Sequence, residues 1–283
     1  MSHPKKVLIT GGTGFAGSHL VEYLLSLPDT ESREIHVTRY GSSTDLVSTL
    51  LPQEHIHEIN LTDEAATATL IKSISPDEIY HLAAIASVGN TFQSPAKVID
   101  INMRLQISLL ESIRQHAPKS RTLIIGSAQE YDCIAYPTSD PINEQHPLGP
   151  SNPYGVSKVD QDLLALSYFY SYNLPIIRVR PFNHIGERQT PQFAVPAFAK
   201  QIAEIVRSKQ SSAEIKVGNL SAIRDFTDVK DVVKAYVLLM EEGTVGEVYN
   251  IGSGKGYSMQ AILDKMLSQV ETSISVTTDP NLL

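Results

Sequence analysis

Cysteine is almost missing from this chain. Cys133 is the only one in 283 residues, so no internal disulfide can form, and a reducing compartment, the cytoplasm, is expected. No apolar run approaches the ~18 residues needed to cross a bilayer, so no membrane partner is expected. The first residues are polar and lead straight into an apolar strand, so no secretory leader is expected. Positive charge is in short supply. With 23 Lys and Arg against 31 Asp and Glu, the net charge is −8, which argues against a nucleic-acid partner while permitting a local basic pocket for a phosphate. Low-complexity tracts and internal repeats are absent. Without an export signal, the glycosylation-type triplets at Asn60 and Asn219 read as chance matches. What remains is an ordinary globular composition, 42% apolar and 19% charged.

The N-terminal stretch is informative. Val7-Leu8-Ile9-Thr10 predicts a short buried strand, and Gly11-Gly12-Thr13-Gly14-Phe15-Ala16-Gly17 follows at once. Leu20, Val21, Leu24 and Leu25 then recur at helical spacing. Strand, glycine turn and helix form the context in which backbone can approach a pyrophosphate and a helix N-terminus can bind it. Gly11, Thr13, Gly14, Phe15 and Gly17 are therefore candidate dinucleotide contacts. The second strand, residues 34–38, ends without the carboxylate that would hold ribose hydroxyls. Arg39 stands there instead, and its planar fork suits a 2′-phosphate. NADP is the expected cofactor, with NAD left open.

Strands are further predicted over 55–60, 77–84, 121–126 and 175–180, with helices over 64–74, 98–116 and 154–172 between them. Such alternation predicts an α/β fold with a doubly wound parallel sheet. The strand at 77–84 ends in small residues, so Ala83 and Ala84 are candidate cofactor lining, while His81 reads as a buried structural histidine. Ser127 follows the strand at 121–126, at the edge where open sheets bind ligands. After Pro181 the rhythm changes. Residues 1–181 and 223–251 are assigned to the dinucleotide-binding domain, and 182–222 and 252–283 to a smaller, discontinuous α/β substrate lobe.

Tyr154 and Lys158 are four residues apart and share a helical face. An ammonium beside a phenol favours phenolate, so Lys158 is expected to lower the pKa of Tyr154 and make it a proton donor and acceptor. Taken alone, this spacing also fits a surface tyrosine and a solvated lysine.

Together, the glycine motif, His81-Leu82-Ala83-Ala84, Ser127, Tyr154-Gly155-Val156-Ser157-Lys158 and Arg180-Pro181-Phe182-Asn183 resemble the extended short-chain dehydrogenase/reductase family. The resemblance implies that Ser127, Tyr154 and Lys158 carry the chemistry, and that Asn60, Leu61 and Leu82 join the cofactor contacts. Later stretches, including Val217-Gly218-Asn219-Leu220 and Arg224-Asp225-Phe226, look closest to the branch acting on GDP-hexoses. The partner implied is a GDP-linked sugar, with Ser87, Ser127, Gln129, Asn183, Lys200, Asn219 and Arg224 as candidate contacts and no metal. Asn183, Asn219 and Arg224 are implied at the nucleotide and diphosphate. Lys200 stands where relatives carry arginine.

Two reactions of that branch compete. The 4,6-dehydratase pattern carries a glutamate at position 129 that moves a proton at C5. Gln129 is an amide and cannot do so. Reduction of the C4 ketone of a GDP-4-dehydro-6-deoxy-hexose is therefore expected over elimination. The family pattern continues for some tens of residues past Leu283 and carries a further nucleotide ligand there, so weakened nucleotide binding is expected. A homodimer through helices 98–116 and 154–172 is implied, with Phe169 and Tyr170 available to it.

Overall fold

The computed structural model describes residues 3–41, 46–86, 92, 94–138, 140–209 and 212–282. The chain divides into two compact units, Met1–Phe182 with Val229–Ile251, and Asn183–Asp228 with Gly252–Leu283.

The first unit is built on seven strands, β1 (Lys5–Thr10), β2 (Arg33–Arg39), β3 (Ile56–Glu58), β4 (Glu78–His81), β5 (Arg121–Ile125), β6 (Ile176–Pro181) and β10 (Val248–Ile251). They lie in the order β10-β6-β5-β4-β1-β2-β3, and every pairing is parallel. The order reverses beside β1, as in a dinucleotide-binding sheet. Its helices are α1 (Phe15–Ser26), the short α2 (Leu46–Leu50), α3 (Glu64–Ile74), α4 (Pro95–His116), α5 (Pro153–Tyr172) and α7 (Val229–Glu242).

Successive strand residues point to opposite faces. Val7 and Ile9 therefore join one core with Leu20, Val21 and Leu24 of α1 and Val233, Tyr236 and Val237 of α7. Leu8 joins the other, with Ile71 of α3, Leu109 and Ile113 of α4, and Ala165 of α5. Both faces are covered, which is why the strands read as continuous apolar runs rather than as alternation. Each fully buried Leu or Ile contributes about 1.5–3 kcal/mol.

The second unit holds a three-stranded sheet, β11 (Gly256–Ser258), β9 (Ile223–Asp228) and β7 (Asn183–Ile185), and a parallel pair, β8 (Ser212–Val217) with β12 (Ser273–Thr278). Val195, Phe198 and Ile202 of α6 (Ala194–Ser208) pack with Ile215, Val217 and Leu263, the last on α8 (Met259–Leu267). Residues 223–228, placed with the cofactor lobe on sequence, belong to this unit. They form β9, which pairs with β7 and β11 rather than with the large sheet. No helix among the described residues is long and apolar enough to cross a membrane.

Candidate active site

β5 ends at Ile125, and the chain turns at once. Ser127 caps a 3-10 turn, Ala128–Glu130, in a reciprocal capping box. Its hydroxyl accepts the Gln129 backbone N–H at 3.1 Å, and its own backbone N–H donates to Glu130 Oε1 at 2.7 Å. α5 begins against this turn. Asn152 Oδ1 accepts the Gly155 N–H at 2.9 Å, and Pro153 fills the first helical position. Asn152 Nδ2 also donates to Gln129 Oε1 at 3.0 Å. The approach is close enough that a Cβ on Gly155 would meet the Gln129 carbonyl oxygen at 2.5 Å. The result places the Ser127 hydroxyl close enough to the Tyr154 phenol to act on its acidity.

Lys158 lies one turn further along α5. It is buried, its Nζ stands 6.0 Å from the Tyr154 ring centroid, and it donates to the Ile125 carbonyl at 2.7 Å. The expected electrostatics need correction here. Burial pushes the Tyr154 phenol up to about 12, the Ser127 hydroxyl opposing and Glu130 adding to the rise. Burial also brings Lys158 down to about 8, against the pull of Glu130. Desolvation, the first cause of both shifts, disfavours the charged form of each group. The phenol is thus held protonated at neutral pH, the state required of a proton donor.

Residues not singled out on sequence hold this arrangement. Asn102, on α4, accepts the Ile85 N–H at 2.8 Å and donates to Ser157 Oγ at 3.0 Å, and Ser157 Oγ donates to the Tyr154 carbonyl at 2.8 Å. This stitches the segment after β4 to the first turn of α5. Beneath Ser127 lies a buried ionic network. Arg180 Nε donates to Glu130 Oε2 at 2.8 Å, and Arg180 Nη2 and Arg178 Nη1 donate to Asp162 Oδ2 at 2.6 and 3.0 Å. Tyr131 completes it, accepting from Arg180 Nη1 at 3.2 Å and donating to Asn250 at 2.7 Å. Burial first, then Asp162, raises the Glu130 carboxyl, while Arg180 pulls the other way. A sequence signal existed: two arginines in a strand as apolar as residues 176–181 demand buried carboxylates.

The glycine motif closes tightly. Gly11 adopts φ +67°, and a Cβ on Gly17 would meet the Gly11 carbonyl oxygen at 2.3 Å. α1 starts at Phe15 after Gly14, with no side chain capping it and no acidic residue in its first turn. That leaves its N-terminal end suited to an anion. Ala83 is fixed by donating its N–H to Thr10 Oγ1 at 3.2 Å, and Leu82, Ala83 and Ala84 are half-buried. His81 shares the Thr10 hydroxyl at 2.8 Å and is brought down to about 3 by burial, with Lys158 adding to the fall. Arg39 ends β2. Its Nη2 donates to Glu58 at 3.2 Å, and its Nε is buried with no partner among the described residues. Asn60 caps its own turn by accepting from Thr62, and Leu61 is buried.

In the second unit, Asn183 is exposed at the start of β7, and Lys200 on α6 is 3.8 Å from Glu204. Asn219 accepts from Ser221 N and Oγ at 2.9 and 2.7 Å. Arg224, on β9, donates to the Ile223 carbonyl, while Asp225 is turned to Ser253 and Gly254. Ser87 lies outside the described residues.

This fold and this serine–tyrosine–lysine constellation define an oxidoreductase of the extended short-chain dehydrogenase/reductase class. The chain belongs to the GDP-mannose 4,6 dehydratase family, whose family model matches residues 8–281. It is 29% identical to a GDP-6-deoxy-D-mannose reductase of Pseudomonas aeruginosa, over 98% of this chain and 84% of that protein. It is 31% identical to the low-salt glycan biosynthesis protein Agl12 of Haloferax volcanii, over 93% of this chain and 82% of that protein. The solved structure of RMD from Pseudomonas aeruginosa complexed with NADPH superposes with a TM-score of 0.84 at 28% identity, covering 99% of this chain and 86% of that one.

Proposed function

We propose that this protein uses NADPH to reduce the C4 ketone of a GDP-4-dehydro-6-deoxy-hexose, giving a GDP-6-deoxy-mannose or rhamnose type product. One observation carries the choice of reduction over elimination. The residue at the dehydratase base position is the amide Gln129, and the adjacent carboxylate is out of reach of any substrate. Glu130 is fully buried, one oxygen bound to Ser127 N–H and the other to Arg180 Nε. The similarity to a GDP-6-deoxy-D-mannose reductase and to a structure complexed with NADPH supports the same reading.

The residues present fit the cofactor: an acid-free helix N-terminus beside tightly packed glycines, small residues after β4, and an arginine at the end of β2. Gly11, Thr13, Gly14, Phe15 and Gly17 would hold the pyrophosphate, Arg39 the 2′-phosphate, and Leu82, Ala83 and Ala84 the rings. When bound, NADPH supplies the hydride that reaches C4. The chain supplies the rest. Ser127 orients the C4 oxygen through its hydroxyl. Tyr154, held protonated, gives that oxygen its proton as negative charge develops, a contribution of ~10²–10⁴ in rate. Lys158 would hold the nicotinamide ribose. Arg224, Asn183, Asn219 and Lys200 are assigned to the nucleotide diphosphate, where a guanidinium fork is well matched. We infer a homodimer as well, supported by Leu163 and Tyr170, both exposed on α5.

The test is to supply NADPH with either GDP-4-keto-6-deoxy-mannose or GDP-mannose. Loss of nicotinamide absorbance with the keto sugar alone supports the proposal. Conversion of GDP-mannose with no net cofactor use would overturn it in favour of dehydration.

A further inference from the structure

The edge of the large sheet gathers side chains for which the reductive chemistry has no use. Glu34 and His36 are two apart on β2 and so share one face. Thr38 pairs in register with His57 of β3, which brings His57 to the same face. His55 ends the 3-10 turn that leads into β3. The contacts are short. His36 Nε2 lies 2.7 Å from Glu34 Oε1, His36 Nδ1 lies 3.0 Å from His57 Nε2, and the His36 and His55 ring centroids are 4.4 Å apart. One potential ligand atom from each of Glu34, His36 and His55 falls within 4.8 Å of the other two, the one such group among the described residues.

Two imidazoles and a carboxylate are a donor set suited to borderline transition cations, with water filling the fourth position. A tetrahedral Zn²⁺ with ~2.0–2.1 Å bonds needs ligand atoms about 3.4 Å apart. The widest spacing in the set, within 4.8 Å, has to close by about 1.4 Å through side-chain rotation. His57 is placed as an outer partner should be, hydrogen-bonded to the ring nitrogen of His36 opposite the one that faces Glu34. The competitor is Lys6, whose Nζ lies 3.9 Å from Glu34 and would have to yield to a cation.

We propose that Glu34, His36 and His55 form a binding site for a divalent transition cation of the Zn²⁺ kind, with His57 orienting His36. The site joins β2 to the segment entering β3, so its occupant pins the outer edge of the sheet and takes no part in proton transfer.

The experiment uses tag-free protein stripped with a chelator, then titrated with Zn²⁺ by calorimetry and with Co²⁺ by visible spectroscopy. Expected are one equivalent per chain, tetrahedral Co²⁺ bands, and a rise in melting temperature on adding Zn²⁺. His36→Gln and His55→Gln should each weaken binding at least tenfold and abolish the thermal shift, and His57→Phe should weaken it about 10–100-fold. Turnover of the metal-free variants should match the parent, which shows that they fold. Absence of one-equivalent binding in the parent would overturn the proposal, and so would undiminished binding in a His36→Gln/His55→Gln double variant.

Discussion

Glu130 clasps Ser127 from below: its Oε1 accepts the serine backbone N–H at 2.7 Å while its Oε2 accepts Arg180 Nε at 2.8 Å. A carboxylate used in this way positions the Ser127 turn, and both of its oxygens are taken by the protein itself. Replacing Glu130 by Ala leaves the Ser127 N–H without its acceptor and Arg180 short of one of its two carboxylates. Removing one partner of a buried pair costs about 3–5 kcal/mol. Denaturant melts of Glu130→Ala should show a loss of that order. Parent-like stability would mean that the network is dispensable.

The contact between α5 and the Ser127 turn is steric as well as polar. Gly155→Ala puts a methyl 2.5 Å from the Gln129 carbonyl oxygen, which is backbone and cannot swing away. The first turn of α5 must shift, and Tyr154 moves with it. Steady-state kinetics should show kcat falling at least tenfold with little change in the KM for cofactor, since misplacement by about 1 Å can cost ~10²-fold. A variant with parent kcat would show that the turn has slack.

Acid should weaken the metal-free protein through His81. Burial lowers its folded pKa to about 3 from 6.5, so between those values the unfolded chain takes up a proton that the folded one refuses. Stability is then fully present above pH 6.5 and falls as pH drops toward 3, by about 1.4 kcal/mol per unit for one proton. His36 and His57 are also lowered by burial and act in the same direction. Melting curves from pH 7 to 4 should steepen accordingly, and His81→Gln should remove part of the slope. An identical slope in that variant would contradict the buried neutral state.

Much of this was legible because local pattern and tertiary role coincide. Val7 to Thr10 followed by glycines can hardly be anything but a strand feeding a tight turn, and the parallel sheet follows from strands apolar on both faces. Ser127 and Tyr154 were each recognisable, and the structure brings them together. The sheet of β7, β9 and β11 was not legible: its strands are short, and β7 and β9 lie some forty residues apart. Nor was the network under Ser127, because Glu130 meets an arginine 50 residues further on. The largest error concerned electrostatics. Spacing alone put an ammonium beside a phenol and implied an acidic tyrosine. Burial, the first cause of both shifts, cannot be read from spacing, and it reverses the sign for the phenol.

The most direct test of the proposed chemistry is the single-turnover rate of NADPH oxidation by GDP-4-keto-6-deoxy-mannose in the parent and in Tyr154→Phe. With the proton donor removed and the site otherwise intact, the rate should drop ~10²–10⁴-fold while NADPH affinity, read by fluorescence, changes little. A Tyr154→Phe protein that oxidises NADPH at the parent rate would contradict the assignment.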